Sequence, residues 1–312
     1  MIWGAVIVAA GRGTRFGQPK QLIELGGKPL VAWSVQTLAS MPEIVDLVVV
    51  TESEFIELME HAIAPFAGAL EPRVVRGGPT RQDSVRLGVA ALPEHCAGIL
   101  VHDGARPLVR AHEIRAGMRA VRPGSAALLA APVIDTIKIV DADRRVTRTL
   151  ERSTLWAAQT PQFAAARDLR RVHADAERFG WPPATDDATL LERGGVVVTV
   201  IEASADNFKV TLPGDLARAE AILRERGPLP LDEAEVLLVE CFVPGGAVDA
   251  VLSELETRCA RIDAIDRDLP SAVAIRAYVG CEELRGFGRR LHALAGEDAL
   301  FTTHLSHLAA HA

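Results

Sequence analysis

Apolar residues run almost unbroken at 2–8, 45–50, 73–75, 98–102, 126–131 and 196–201, the pattern of short strands buried on both faces. Between them, 30–40, 53–65, 82–92, 112–121, 164–178 and 213–226 carry apolar positions at helical spacing. Strand and helix in this alternation predict an α/β fold, with a Rossmann-like, mainly parallel sheet covered by helices. One stretch breaks the rhythm. Segments 135–140 and 145–150 alternate in polarity about the turn-forming Asp141-Ala142-Asp143, which predicts a β-hairpin arm spanning about 133–152. An arm of this kind is placed to exchange contacts between subunits.

The first domain is expected to occupy 1–226. Gly227-Pro228-Leu229-Pro230-Leu231 is stiff and turn-prone, so 227–232 reads as a linker. Beyond it, in 233–312, the pattern predicts strand 235–242, helix 247–258, strands 261–265 and 271–279, helix 282–294 and strand 299–305. That βαββαβ order is the split pattern of a ferredoxin-like domain.

Charge separates the two parts. Residues 233–312 hold 13 acids against 7 arginines, so they carry -6 of the net -7. Nucleic acid as a partner is excluded on this ground, because gripping a phosphate backbone needs clustered cations. No apolar run approaches the ~18 residues of a membrane helix, and the opening segment lacks a charged leader region, so the expected location is the cytoplasm, away from any membrane. Cys96, Cys241, Cys259 and Cys281 show no metal-ligand spacing and read as small buried hydrophobes. His304, His307 and His311 read as a strand end and tail.

Arginine outnumbers lysine thirty to four, so the lysines that remain draw attention as compact, flexible ammonium groups suited to following a phosphoryl group. They are Lys20, Lys28, Lys138 and Lys209. Lys28 and Lys138 fit ordinary surface charge equally well.

Lys20 closes the most informative motif in the chain. Strand 2–8 leads into Ala9-Ala10-Gly11-Arg12-Gly13-Thr14-Arg15-Phe16-Gly17-Gln18-Pro19-Lys20. Glycines at this spacing let backbone N–H groups face an anion, and Arg15 and Lys20 add full positive charge. The spacing fits neither a P-loop nor a dinucleotide fingerprint. Further runs follow in order: Gly77-Gly78-Pro79-Thr80-Arg81-Gln82-Asp83-Ser84, His102-Asp103-Gly104-Ala105-Arg106-Pro107, Asp135-Thr136-Ile137-Lys138, Gln159-Thr160-Pro161-Gln162-Phe163, Thr185-Asp186-Asp187 and Asp206-Asn207-Phe208-Lys209-Val210-Thr211.

Together these motifs resemble the 2-C-methyl-D-erythritol 4-phosphate cytidylyltransferases over residues 2–226. The resemblance implies a nucleotidyltransferase that joins CTP to methylerythritol phosphate and releases pyrophosphate, in non-mevalonate isoprenoid biosynthesis. It implies Mg²⁺ or another divalent cation, held mainly through the CTP phosphates with Asp103 as a possible protein ligand. Arg15, Lys20 and Lys209 would be catalytic, offsetting charge at the α-phosphorus from two sides. Ala9, Ala10, Gly11, Gly13, Gly78, Arg81, Ser84 and Ala105 would bind CTP. Asp103, Arg106, Thr185 and Thr211 would bind the acceptor, and Thr136 and Arg152 would reach the acceptor of a neighbouring subunit, making the active unit a homodimer through the arm. His102 is expected to pack rather than to catalyse. Pro79 and Gly104 depart from the family's usual residues beside these contacts.

Two other readings compete. Ribitol 5-phosphate cytidylyltransferases share the loop and sheet, but the Asp103 and arm motifs favour erythritol. An inactive nucleotide-binding scaffold would have little need for cations on opposite sides of one phosphorus. Residues 236–308 are similar to the last domain of elongation factor G, through Val239-Glu240-Cys241-Phe242-Val243-Pro244, Ala274-Ile275-Arg276-Ala277-Tyr278-Val279, Gly286-Phe287 and Phe301-Thr302. No GTPase motif accompanies them, so translational GTPase function is excluded, and the partner of this domain is left open.

Overall fold

The computed structural model describes residues 1–11, 19–226, 236–258, 260–267, 269, 272–280, 284, 287–296 and 298–305. Two units separate, Met1–Gly227 and Pro228–Ala312. The glycine-rich loop at 12–18, with Gly13 and Arg15, lies outside the described residues, as do Cys259, Cys281, His307 and His311 and the whole of the predicted linker 227–232.

The first unit runs β1 (Trp3–Val8), β2 (Glu24–Leu25), β3 (Lys28–Pro29), α1 (Leu30–Ala39), β4 (Ile44–Thr51), α2 (Ile56–Ile63), β5 (Arg73–Arg76), α3 (Arg81–Ala91), β6 (Gly98–Asp103) and α4 (Ala111–Ala120). It continues with β7 (Ser125–Pro132), β8 (Lys138–Val140), β9 (Val146–Thr149), β10 (Trp156–Ala165), α5 (Ala166–Phe179), α6 (Asp187–Arg193), β11 (Val197–Glu202) and α7 (Pro213–Arg226). The main sheet has the order β11-β7-β10-β6-β1-β4-β5. Its pairs are parallel except those of β10, which runs antiparallel to both β6 and β7.

Both faces of β1 are buried, which explains its unbroken apolar run. Trp3, Ala5 and Ile7 pack with Val31 and Val35 of α1, Met59 of α2 and Ile114 of α4. Val6 faces the other way, toward Val85 and Val89 of α3 and Leu169 and Val172 of α5. Helices therefore cover both sides of a mainly parallel sheet, as the alternation predicts.

β10 is a correction. The predicted helix from 164 begins at Ala166, and Ala164 and Ala165 finish a ten-residue strand. Gln159, Thr160, Pro161 and Gln162 interrupt its hydrophobicity, yet the three polar residues are buried. α6 and the β2–β3 hairpin were also absent from the pattern of apolar runs.

The arm is a two-stranded sheet of β8 and β9, shorter than the predicted halves. Asp141 Oδ1 accepts the N–H groups of Asp143 (3.0 Å) and Arg145 (2.8 Å), and Arg144 takes φ 62°. Lys138 reaches across to Thr149 Oγ1 at 2.8 Å, a structural use of that lysine. Ile134, Ile139, Val140, Val146 and Trp156 stand exposed along and beside it.

The second unit contains β12 (Val236–Val243), α8 (Val248–Thr257), β13 (Arg261–Asp266), β14 (Val273–Gly280), α9 (Phe287–Ala295) and β15 (Leu300–Leu305). Its sheet is antiparallel in the order β13-β14-β12-β15, which is the ferredoxin-like arrangement of βαββαβ. Val239, Cys241, Ile275, Ala277 and Val279 alternate onto a core with Val251, Leu255, Phe287 and Leu291 of the two helices.

Candidate active site

Side chains converge beyond the carboxyl ends of β1 and β6, the place where open α/β sheets bind ligands. A cavity of about 330 Å³ is lined there by Ala10, Gly11, Lys20, Gly78, Pro79, Arg81, Ser84, Asp103, Ala105 and Lys209, among others. Residues as far apart in the chain as Val8 and Lys209 thus face one space.

The entry to α3 forms one wall. Thr80 caps the helix, accepting the Asp83 N–H at 3.1 Å while Asp83 accepts the Thr80 N–H at 3.3 Å. Such reciprocal capping fixes the first turn. Gly78 donates its N–H to Ser84 Oγ at 3.1 Å. A Cβ at Gly78 would lie 2.3 Å from Asp83 Cβ, so only glycine lets the loop close onto the helix start.

The chemical centre is Asp103, at the end of β6. Its Oδ2 accepts from Lys209 Nζ at 2.9 Å and lies 3.7 Å from Arg106 Nε, while Oδ1 accepts from Arg81 Nε at 3.4 Å. Burial would raise its pKa, but the charges of Arg81, Lys209 and Arg106 outweigh burial and hold the carboxyl well below the usual range. Asp103 is a carboxylate at every physiological pH. Arg81 is further anchored by Asp187, whose Oδ2 accepts from Nη1 at 2.9 Å. Arg106 Nη1 donates to the Asn207 carbonyl at 2.7 Å. Lys20 Nζ donates to the Val210 carbonyl at 2.8 Å, so the lysine that closes the glycine-rich motif touches the strip that carries Lys209.

Behind these groups lies a buried polar layer. Thr160 Oγ1 accepts the Asp103 N–H at 2.9 Å and donates to His102 Nδ1 at 3.1 Å. His102 Nε2 must then carry the proton and donates it to the Arg106 carbonyl at 3.1 Å. Asn207 Nδ2 donates to Gln159 Oε1 and to the Thr160 carbonyl, both at 2.9 Å. The polar residues of β10 thus tie Asp103, Arg106 and the Lys209 strip into one frame. His102 does more than pack: it supports the carbonyl and backbone between Asp103 and Arg106.

Burial lowers the His102 pKa from 6.5 to about 4. Above pH 6.5 the ring is neutral in folded and unfolded chains. Below it the unfolded chain gains a proton that the folded one refuses, so stability is expected to fall between pH 6.5 and 4, by about 3 kcal/mol. Denaturant midpoints across that range, compared with those of His102→Gln, measure this; an unchanged slope in the variant rules the residue out as the source.

Other expected residues fall less centrally. Ala9 is buried and donates to the Val50 carbonyl at 2.7 Å. Thr211 Oγ1 donates to the Lys209 carbonyl at 3.0 Å, and Thr185 is exposed just before α6. Thr136 lies exposed on the arm. Arg152 lines a separate 280 Å³ depression at the arm's base with Glu151 and Trp156, and its Nη1 donates to the Ile134 carbonyl at 2.8 Å. Neither residue lines the main cavity of its own chain. Lys28 lies over the Trp33 ring at 3.7 Å, a packing role. At Gly104 a Cβ would come within 3.1 Å of Ile7 Cγ2 and 3.3 Å of the Val8 carbonyl, so a glycine suits tight packing on β1.

A Rossmann-like sheet with Lys20, Lys209 and two arginines gathered at its carboxyl end defines a nucleotidyltransferase. Residues 3–225 match the family 2-C-methyl-D-erythritol 4-phosphate cytidylyltransferase, and the chain belongs to that family. Its function is cytidylyl transfer in isoprenoid biosynthesis. The enzyme of that name from Prochlorococcus marinus is 42% identical over 227 residues, covering 71% of this chain and 98% of its own. That from Parasynechococcus marenigrum is 43% identical over 227 residues, covering 71% and 97%. The crystal structure of the Thermus thermophilus enzyme aligns with a TM-score of 0.59 at 31% identity, covering 72% of this chain and all of that one. The Anaerococcus prevotii 4-diphosphocytidyl-2C-methyl-D-erythritol synthase aligns at 0.64 with 27% identity, covering 72% and 96%. Among the described residues no helix is long and apolar enough to cross a membrane.

Proposed function

We propose that the cavity binds CTP against Gly11, Gly78, Arg81 and Ser84, and that Lys20 and Lys209, with Arg15, engage its phosphates while Asp103 and Arg106 orient methylerythritol 4-phosphate. An oxygen of the acceptor's phosphate attacks the CTP α-phosphorus, the bond to the bridging oxygen breaks, and pyrophosphate leaves. No covalent intermediate with a side chain is required, since positioning and charge neutralisation carry phosphoryl-type transfer. The observation that supports this reading best is the Lys209–Asp103 pair facing the same cavity as Lys20.

Asp103 is the one carboxylate among the described lining residues. That donor set suits a divalent cation carried in on the triphosphate better than one caged by protein, as Mg²⁺ is usually held. Bound there, it would neutralise developing charge on the leaving pyrophosphate. The exposed apolar residues of the arm support a homodimer in which Thr136 and Arg152 reach the partner's acceptor.

Pyrophosphate release from CTP, with methylerythritol phosphate and ribitol phosphate as alternative acceptors, tests the assignment. Methylerythritol phosphate is expected to be strongly preferred; turnover with neither acceptor defeats it. We assign the C-terminal unit, similar to the last domain of elongation factor G, an accessory role in the cytoplasmic enzyme. Because it has its own core, removal of 229–312 is expected to leave substantial activity. Complete loss in a folded, dimeric truncation would contradict that role.

A further inference from the structure

At the opposite end of the main sheet from the cavity, three groups with metal-binding chemistry meet. Asp46 lies near the start of β4, opposite Gly4 of β1, and His95 and Cys96 sit in the connection from α3 to β6. Asp46 Oδ2 is 3.0 Å from His95 Nε2 and 3.8 Å from Cys96 Sγ, and one ligand atom from each residue lies within 4.8 Å of the others. Tetrahedral zinc, with bonds of about 2.0–2.3 Å, sets its ligand atoms roughly 3.3–3.8 Å apart. Two of the three edges are already close to that spacing.

We propose that Asp46, His95 and Cys96 form a site for a borderline divalent cation of the zinc type, distinct from the cation that accompanies CTP. The donor set of one carboxylate, one imidazole and one thiolate selects this class over Mg²⁺ or Ca²⁺, which take oxygen ligands. Asp46 is also held from outside. Arg73 Nη2 lies 3.5 Å from its Oδ1, so Oδ2 is the oxygen turned toward His95 and Cys96, as an outer-shell partner would orient it. His95 is the exposed ligand, with 58% of its side chain accessible, and gives the ion its way in. Cys96 is buried; binding replaces its thiol proton by the metal, and the proton leaves to solvent. Occupancy would pin the α3–β6 connection to the first residues of β4. The cysteine spacing alone conceals the site because its third ligand comes from a strand fifty residues earlier.

Titration of the metal-free, full-length chain with Co²⁺ tests this. One Co²⁺ per chain is expected, with a thiolate-to-cobalt charge-transfer band in the near ultraviolet that Zn²⁺ abolishes by displacement. Cys96→Ser is expected to lose the band. His95→Ala, at a position too exposed to threaten folding, is expected to lower affinity by at least the roughly 10–100-fold typical of losing an outer-shell partner, and to leave cytidylyltransferase turnover with saturating Mg²⁺ unchanged. No band, a band that persists in Cys96→Ser, or native affinity in His95→Ala overturns the proposal. The cytidylyltransferase assay reports separately on the main cavity.

Discussion

Lys209→Ala is expected to lower kcat by about 10²–10³-fold, the usual effect of removing one preorganised charge or donor from a transition state. Lys209 is 44% exposed at its side chain and held by Asp103, so it can leave that carboxylate to follow a phosphate. Stability should change little, because Arg81 and Arg106 still flank Asp103. Lys209→Arg is expected to recover only part of the rate, since a planar guanidinium cannot reproduce a compact ammonium. Pyrophosphate release at saturating CTP and acceptor, with denaturant midpoints for folding, gives the measurement. A rate near that of the native chain would remove Lys209 from the chemistry.

Asp187→Ala is expected to destabilise the first unit by about 3–5 kcal/mol. Asp187 is buried to 1% exposure and accepts from Arg81 at 2.9 Å. Burial alone would raise its pKa, but Arg81 and the nearby His173 hold it down. Truncation leaves the guanidinium with only the 3.4 Å contact to Asp103. Removing both charges together, in Asp187→Leu with Arg81→Met, should recover much of the stability while leaving the enzyme poorly active. Urea unfolding reads the first effect; a loss under about 1 kcal/mol in Asp187→Ala would show that the pair is not the buried anchor it resembles.

His102, Thr160, Asp187 and Asn207 illustrate what the sequence does and does not disclose. The six apolar strands and the helices between them were legible; burial on both faces enforces the runs of β1, β4, β6 and β7, whereas β5 and β11, at the sheet edges, are apolar yet largely exposed or half-buried rather than buried on both faces as expected. Of the residues lining the cavity, Ala10, Gly11, Lys20, Gly78, Arg81, Ser84, Asp103, Ala105 and Lys209 stand in motifs where glycine and cations recur beside strand ends, whereas Gln21 carries no such signal, and Arg106, Thr185 and Thr211, expected with them, do not line it. β10 was not, because its middle is Gln-Thr-Pro-Gln, and only the three-dimensional frame shows those polar groups satisfied by Asn207, Ser204, Asp186 and the Asp103 backbone. Asp187 and Asn207 stand in motifs visible in the chain, yet nothing local reveals that one anchors Arg81 and the other clamps β10. Their partners lie 47 to 106 positions away.

The cluster around Asp103 also bears on nucleotide binding. Lys209, Arg81 and Arg106 are gathered about one carboxylate, so Asp103 offsets part of the positive charge that their number suggests. If CTP binds as proposed, Lys209 would have to exchange its 2.9 Å contact with Asp103 for phosphate oxygens, so nucleotide binding would redistribute the partners of this internal counter-ion.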